Sequence, residues 1–213
     1  MLTKLCGFTE KNSVQTAIAQ KCDFLGFVFY PKSPRFITPK NARIISADVP
    51  LNIAKVAVIV DPTFEFLAEI AQDFLPDFFQ FHGSETAEFL QKTRQKFPSI
   101  KIIKAFRISQ AKDLTQVQDF TDFADFFLFD SKAENEFGGS GEKFNWEILR
   151  NFRSEKDWFL SGGINAENLD EAIRITGARM IDVSSGIEKS RAVKSHELII
   201  QLMIKTKNYA PKN

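Results

Sequence analysis

Cysteine, histidine, tryptophan and tyrosine are all scarce in this chain, with two of each among 213 residues. Cys6 and Cys22 show no Cys-x-x-Cys spacing, and His82 and His196 lie far apart. Neither a disulfide framework nor a zinc site is indicated, and a reducing, cytoplasmic setting is the default expectation. An excess of charge is also missing, because Lys plus Arg (28) and Asp plus Glu (27) nearly cancel. The chain therefore lacks the basic footprint that nucleic acid would require. No basic stretch leads into an apolar signal segment, and no apolar run approaches the length of a membrane span. A soluble, unprocessed protein with no membrane partner is expected.

What the chain has in abundance is phenylalanine, 23 residues, many in runs such as "FLGFVF", "FFQF" and "FFLF". Aromatic core packing is sufficient to account for them. With 44% hydrophobic and 26% charged residues, the chain can bury one large core. A single domain over 1–213 is expected, with 208–213 as a short tail.

Short apolar runs rich in β-favouring residues recur along the chain: "TKLCG", "DFLGFVF", "KVAVIV", "DFFQFH", "IKIIKAF", "DFFLFD", "DWFLSG" and "RMIDVSS". Between them lie stretches of helical length, among them "EKNSVQTAIAQK", "TFEFLAEIAQDF", "SETAEFLQKTRQKF", "NAENLDEAIRIT" and "HELIIQLMIKTK", several with apolar residues at i, i+3, i+4 and i+7. Eight βα units without a break in composition point to an α/β fold, a single (β/α)8 TIM barrel. An open doubly wound sheet is the alternative. It is weakened because no G-x-G-x-x-G follows the first strand and "GGSGEKF" lacks the Gly-Lys-Ser/Thr ending of a phosphate loop.

In a barrel, chemistry gathers where strands end, so the residues closing each run are the candidates. The first run closes on Cys6-Gly7, the second leads to Ser33-Pro34-Arg35, the fourth closes on His82-Gly83 and the sixth on Asp130. The seventh passes into Ser161-Gly162-Gly163 and the eighth into Ser184-Ser185-Gly186. Two small-residue loops after neighbouring late strands suit a phosphate, since glycines admit backbone N–H groups close to an anion and a helix N-terminus adds a favourable dipole. A phosphorylated small molecule is the expected ligand. Arg35, beside a proline, can grip a carboxylate or phosphate with paired hydrogen bonds, or can be an ordinary surface arginine. Asp130, at the end of a buried strand, is either a proton donor or a turn cap. The polar, Gly-rich stretch 131–144 is long for a βα connection and reads as a lid or as a merely flexible loop.

Cys6 shares strand parity with Lys4, so a thiol at the barrel top places the lysine one layer below, inside the barrel. Lys4 then needs a buried partner, and Asp182, on the last strand, is the candidate once the barrel closes. Cys22 precedes the second strand at the opposite face and reads as packing. His196 opens the last helical stretch and reads as surface, while His82 suits either ligand contact or a structural hydrogen bond to Asp or backbone.

Taken in order, "KLCGFT", "DFLGFVFYPKSPR", "FQFHGSE", "FDSKAENEFGGSGEKFNW", "LSGGINAENL" and "DVSSGIE" resemble the motif series of the phosphoribosylanthranilate isomerases of tryptophan biosynthesis. The resemblance runs from the first strand to the last. It implies a monofunctional (β/α)8 enzyme that converts N-(5-phosphoribosyl)anthranilate to 1-(2-carboxyphenylamino)-1-deoxyribulose 5-phosphate by an Amadori rearrangement, without metal or organic cofactor. It implies Cys6 as general base, Asp130 as general acid and Arg35 at the anthranilate moiety, with His82 as a further substrate contact. Gly162, Gly163, Ser184, Ser185 and Gly186 are the phosphate-binding set, and a monomer or homodimer is expected. An ordinary thiol is mostly protonated at neutral pH, so the site either lowers the pKa of Cys6 or works with a small thiolate fraction. The residues leave both open.

The chain departs from that pattern after "SSGIE", where "KSRAVKS" replaces a segment in which the family commonly has Pro-Gly or Gly followed by Lys-Asp. Lys194 fits, Ser195 replaces the acid and the glycine is absent. Because Ser can cap a helix, a local effect is expected. Asn145 stands where the family usually has Asp, and it is an equally good cap. Two competing readings remain. One is the histidine-pathway isomerase, whose family uses carboxylates at both catalytic strand ends; the other is a catalytically silent phosphosugar-binding barrel.

Overall fold

A computed structural model describes residues 1–131 and 145–209. Each of the apolar runs forms a strand: β1 (Leu2–Cys6), β2 (Phe24–Val28), β3 (Ala54–Ile59), β4 (Phe78–Phe81), β5 (Lys101–Ile108), β6 (Phe126–Ser131), β7 (Trp158–Leu160) and β8 (Met180–Val183). They pair in parallel in sequence order, and β8 returns to pair with β1, closing the barrel. This closure excludes the open sheet. Both faces of every strand are covered, which is why the strands read as nearly continuous apolar runs rather than alternating ones.

The outer layer holds α1 (Lys11–Ala19), α2 (Pro39–Ile45), α3 (Phe64–Asp73), α4 (Ala87–Lys96), α5 (Leu169–Thr176) and α6 (His196–Thr206). Threonine or serine hydroxyls cap several of these helices, with Thr38, Thr63, Thr86 and Ser195 accepting from the N–H groups of Asn41, Phe66, Phe89 and Leu198. A cap of this kind contributes about 1 kcal/mol. The unit after β5 departs from the expected α-helix, because Ala111–Phe120 is wound as 3-10 helix. Its apolar residues Leu114, Val117, Phe120 and Phe123 recur every three positions, matching the 3.0-residue turn of that helix. The unit after β6 also ends in a short 3-10 turn, Trp146–Leu149, capped by Asn145. Of the tail expected at 208–213, Asn208 and Tyr209 lie in a 3-10 turn, and the Tyr209 carbonyl accepts from the N-terminal amine at 2.9 Å.

Parity and register sort the interior into layers of four side chains drawn from alternate strands. The lowest holds Phe24, Phe78, Phe126 and Met180. Its phenylalanines meet ring to ring, with Phe24 and Phe78 centroids 5.6 Å apart and Phe78 and Phe126 5.7 Å apart. Before each of these phenylalanines stands an aspartate, and Asp23, Asp77 and Asp125 accept backbone N–H groups of Thr3, Lys55 and Ile102 on the preceding strand. The repeated Asp-Phe therefore ties the strand starts while its ring floors the barrel. Above lie Lys4, Val56, Ile103 and Phe159, then Gly26, Gln80, Leu128 and Asp182. The fourth layer holds Cys6, Val58, Ala105 and Ser161, and the top holds Val28, His82, Asp130 and Ser184.

Candidate active site

A cleft of about 770 Å³, counted to its open mouth, lies at the carboxyl ends of the strands. Its size suits a small ligand. Cys6, Arg35, Gln80, His82, Asp130, Asp182 and the loops containing Ser161, Gly162, Gly163, Ser184 and Ser185 all line it. Most of the strand-end residues singled out from the sequence thus converge on one site, while Gly7, Pro34, Gly83 and Gly186 are not part of its lining.

Cys6 sits in the fourth layer because β1 continues to it, and it has room there because Gly26 has no side chain. A Cβ on Gly26 would lie 2.7 Å from the Cys6 sulfur. Two layers below, because side chains of the neighbouring strands form the layer between, Lys4 is fully buried and its Nζ lies 2.8 Å from Asp182 Oδ1, the partner anticipated from strand parity and closure. Burial by itself would push the Lys4 ammonium down, but Asp182 and Cys6 outweigh it and hold the group above the ordinary lysine value. For Cys6 the balance goes the other way. Burial pushes the thiol up, and the nearby Lys4 and Lys194 ammonium groups only partly offset burial and the Asp182 carboxylate. The protein alone therefore holds a thiol, and any thiolate is a minor species and a correspondingly stronger base.

Asp130 closes β6, and its Oδ1 accepts from the Ser131 N–H at 2.8 Å. Its Oδ2 lies 3.4 Å from His82 Nε2, without the alignment of a hydrogen bond. The other nitrogen of His82 is 3.5 Å from the Gln80 amide. His82 thus stands beside the candidate acid. His196 is exposed at the start of α6, where its Nδ1 meets the Thr16 hydroxyl at 2.7 Å. Cys22 is a packing residue, its thiol pushed up to about 12 by burial.

The small-residue loops meet at the rim between β7 and β8. Gly162 and Gly163 have φ values of 84° and 74°, which only glycine adopts freely. Asn168 holds the loop by donating to the Gly163 carbonyl at 2.8 Å. Gly186 does not line the cleft. A Cβ there would lie 1.9 Å from the Ile164 carbonyl oxygen, so its role is to let the two loops touch. The anticipated helix dipole is also replaced, because only a three-residue 3-10 turn, Ser185–Ile187, follows β8. Backbone N–H groups and serine hydroxyls of the loops are available to meet an anion.

After that turn comes a hairpin of β9 (Glu188–Ser190) and β10 (Val193–Lys194), the segment where the chain departs from the motif series. Ala192 takes a left-handed φ of 66°, and Ser195 caps α6. The hairpin delivers Glu188, which the sequence reading passed over. Arg35 Nε and Nη2 donate to Glu188 Oε1 and Oε2 at 2.6 and 2.8 Å, and Lys194 Nζ donates to Oε1 at 2.7 Å. Burial opposes ionisation of Glu188, but the two cations prevail and bring its pKa from the ordinary 4.5 to about 2. Gly26 was legible as a glycine inside an apolar strand, a mark of close approach. Glu188 had no such mark. The stretch 131–144, read as a lid or as a merely flexible loop, lies, apart from Ser131, outside the described residues.

A family model for N-(5'-phosphoribosyl)anthranilate isomerase matches residues 3–205. The chain belongs to the phosphoribosylanthranilate isomerase family. It is 38% identical over 202 residues to the enzyme of Zymomonas mobilis subsp. mobilis, covering 94% of this chain and 95% of that one. The Parvibaculum lavamentivorans isomerase is 37% identical over 201 residues, covering 92% and 93%. Among solved structures, the Thermotoga maritima phosphoribosylanthranilate isomerase superposes with a TM-score of 0.88 at 31% identity, covering 98% of this chain and 99% of that one. A crystal structure of such an isomerase with reduced 1-(o-carboxyphenylamino)-1-deoxyribulose 5-phosphate gives a TM-score of 0.83, also at 31% identity and with the same coverage. As a phosphoribosylanthranilate isomerase, the protein performs the Amadori rearrangement of N-(5-phosphoribosyl)anthranilate in tryptophan biosynthesis. The histidine-pathway reading is set aside.

Proposed function

We propose that Asp130 is the acid and Cys6 the base of this rearrangement. Asp130 gives its proton to the ribose ring oxygen as the bond from C1 to that oxygen breaks, leaving an imine-like cation. Cys6, as thiolate, then removes the proton on C2, and the resulting enolamine becomes the ketose as C1 takes a proton and the C2 hydroxyl gives one up. Proton transfers by positioned groups of this kind each contribute about 10²–10⁴-fold. The observation that carries the assignment is that both residues line one cleft whose rim is formed by the two small-residue loops.

The phosphate is held by the loops at Gly162, Gly163, Ser184 and Ser185, with Gly186 setting their contact. The anthranilate moiety lies at Arg35, and His82 contacts the substrate beside Asp130. Neither metal nor organic cofactor enters this scheme. Among the described residues no helix is long and apolar enough to cross a membrane. The pathway and the free thiols of Cys6 and Cys22 favour the cytoplasm as the place of action. The protein works as a monomer or a homodimer; the Thermotoga maritima relative is dimeric.

The test is turnover of freshly made phosphoribosylanthranilate, followed by loss of its fluorescence, for the wild type, Cys6→Ala and Asp130→Asn. Both variants are expected to fold and to lose about 10²–10⁴-fold in kcat. A Cys6→Ala protein with near-wild-type kcat would remove the thiol from the mechanism.

A further inference from the structure

We infer that Glu188 is the positioning residue for the aromatic end of the substrate: it fixes Arg35 and, through Lys194, joins that end of the cleft to the phosphate loop. The inference rests on the reading that Arg35 meets the anthranilate moiety.

Arg35 comes from the loop after β2 and Glu188 from the hairpin after β8, 153 residues apart in sequence. Their contact is bidentate, the geometry in which a guanidinium is fixed in orientation as well as in place. Both side chains are almost entirely buried, at 6% and 4% exposure. The carboxylate is saturated on its remaining sides. Lys194 Nζ reaches Oε1, and the N–H of Ala192 donates to Oε2 at 3.0 Å. Lys194 also donates to the carbonyl of Ser184 at 3.0 Å, so one carboxylate links the Arg35 loop to the loop expected to hold phosphate.

The arginine stem is held from below as well. A Cβ on Gly7 would lie 2.5 Å from Arg35 Cδ, so the stem runs across the backbone directly after Cys6. The cluster thus sets one carboxylate between two cations. Without Glu188, Arg35 and Lys194 would be like charges in a buried site and would separate, carrying the guanidinium away from its place over Gly7.

The experiment is a double-mutant cycle on Glu188→Gln and Arg35→Ala. It reads KM and kcat, and binding of the reduced product analogue and of inorganic phosphate, with thermal unfolding as a control for folding. Glu188→Gln is expected to weaken the analogue and raise KM by about 10-fold or more, with a smaller change in kcat. In the Arg35→Ala background the same substitution should add less than about 3-fold, because the group it positions is gone. Glu188→Asp keeps the charge and should recover part of the loss, which a purely structural role for the neutral shape would not predict. Full additivity of the two losses, or an unchanged KM in Glu188→Gln, overturns the inference. If Arg35→Ala itself leaves the affinity for the analogue intact, it is the reading of Arg35 that fails. Should Glu188→Gln not fold, Glu188→Asp in the same cycle gives the decision by its additivity with Arg35→Ala.

Discussion

Gly26→Ala is a one-methyl change that tests how closely the barrel interior is fitted around the base. The added Cβ would lie 2.7 Å from Cys6 Sγ and 3.2 Å from both Cys6 Cα and Cβ. Ordinary contact between such atoms is about 3.5–4.0 Å, so the sulfur must retreat by about 1 Å. The strand cannot yield easily, since Cys6 and Gly26 are register partners and the N–H of Gly7 donates to the Gly26 carbonyl at 2.8 Å. Overpacking of this kind costs about 1–3 kcal/mol, a fall in Tm of about 3–10 °C for a chain of this length, and leaves a folded protein. A displacement of about 1 Å in a reacting group costs about 100-fold in rate, or about 2.7 kcal/mol of barrier. The assay is kcat by fluorescence loss, beside thermal unfolding and the rate of Cys6 alkylation. In a Cys6→Ala background the stability penalty should shrink, because the closest contact has been removed. A Gly26→Ala enzyme with kcat within about 3-fold of wild type would refute the claim that this glycine makes the space for the thiol.

Ala192→Gly should stabilise the protein. Alanine at a φ of 66° costs about 1–2 kcal/mol, against about 0.5–1 kcal/mol for the extra freedom of glycine in the unfolded chain. A rise in Tm of about 1–4 °C is expected, and a fall would show that the hairpin carries no such strain. Glu188 should also make the folded state sensitive to acid. Its pKa is depressed to about 2 in the fold, so the stabilisation is complete above the unfolded value of 4.5 and is lost as pH falls from 4.5 towards 2. The shift would amount to about 3.4 kcal/mol at about 1.4 kcal/mol per unit. The carboxylate has little surface of its own, but its partner Arg35 lines the open cleft, where water screens the pair, so about 2 kcal/mol is expected. Denaturant titrations at pH 7 and pH 3 check this: wild type should lose about 1 kcal/mol more than Glu188→Gln over that range, the rest going only below pH 3. Equal losses would contradict it.

Much of the site was legible in the chain because its groups are marked locally. A strand announces itself by a run of apolar residues, and the residue that closes the run must lie at the rim, so Cys6, His82, Asp130 and the loops at 161–163 and 184–185 could be placed without knowing the fold in detail. The spacing of Lys4 and Cys6 placed them on one face, and the assumption of closure then named Asp182. The 3-10 winding of Ala111–Phe120 was written in its strict spacing of three, a pattern close enough to the α-helical one to be passed over.

The sequence by itself thus determined the order of strands, the face that carries chemistry and the residues that close each strand, since each depends on a residue and its near neighbours, while the acid and base roles came from the resemblance. Only the tertiary structure decided how these groups act on one another. It showed that Glu188 reaches Arg35, that Gly26 yields its volume to the Cys6 thiol, that Gly186 lets two loops meet, and that burial outweighs two nearby ammonium groups at Cys6. Those facts depend on distances between segments far apart in the chain and on the loss of water around them. Neither quantity exists until the barrel has closed.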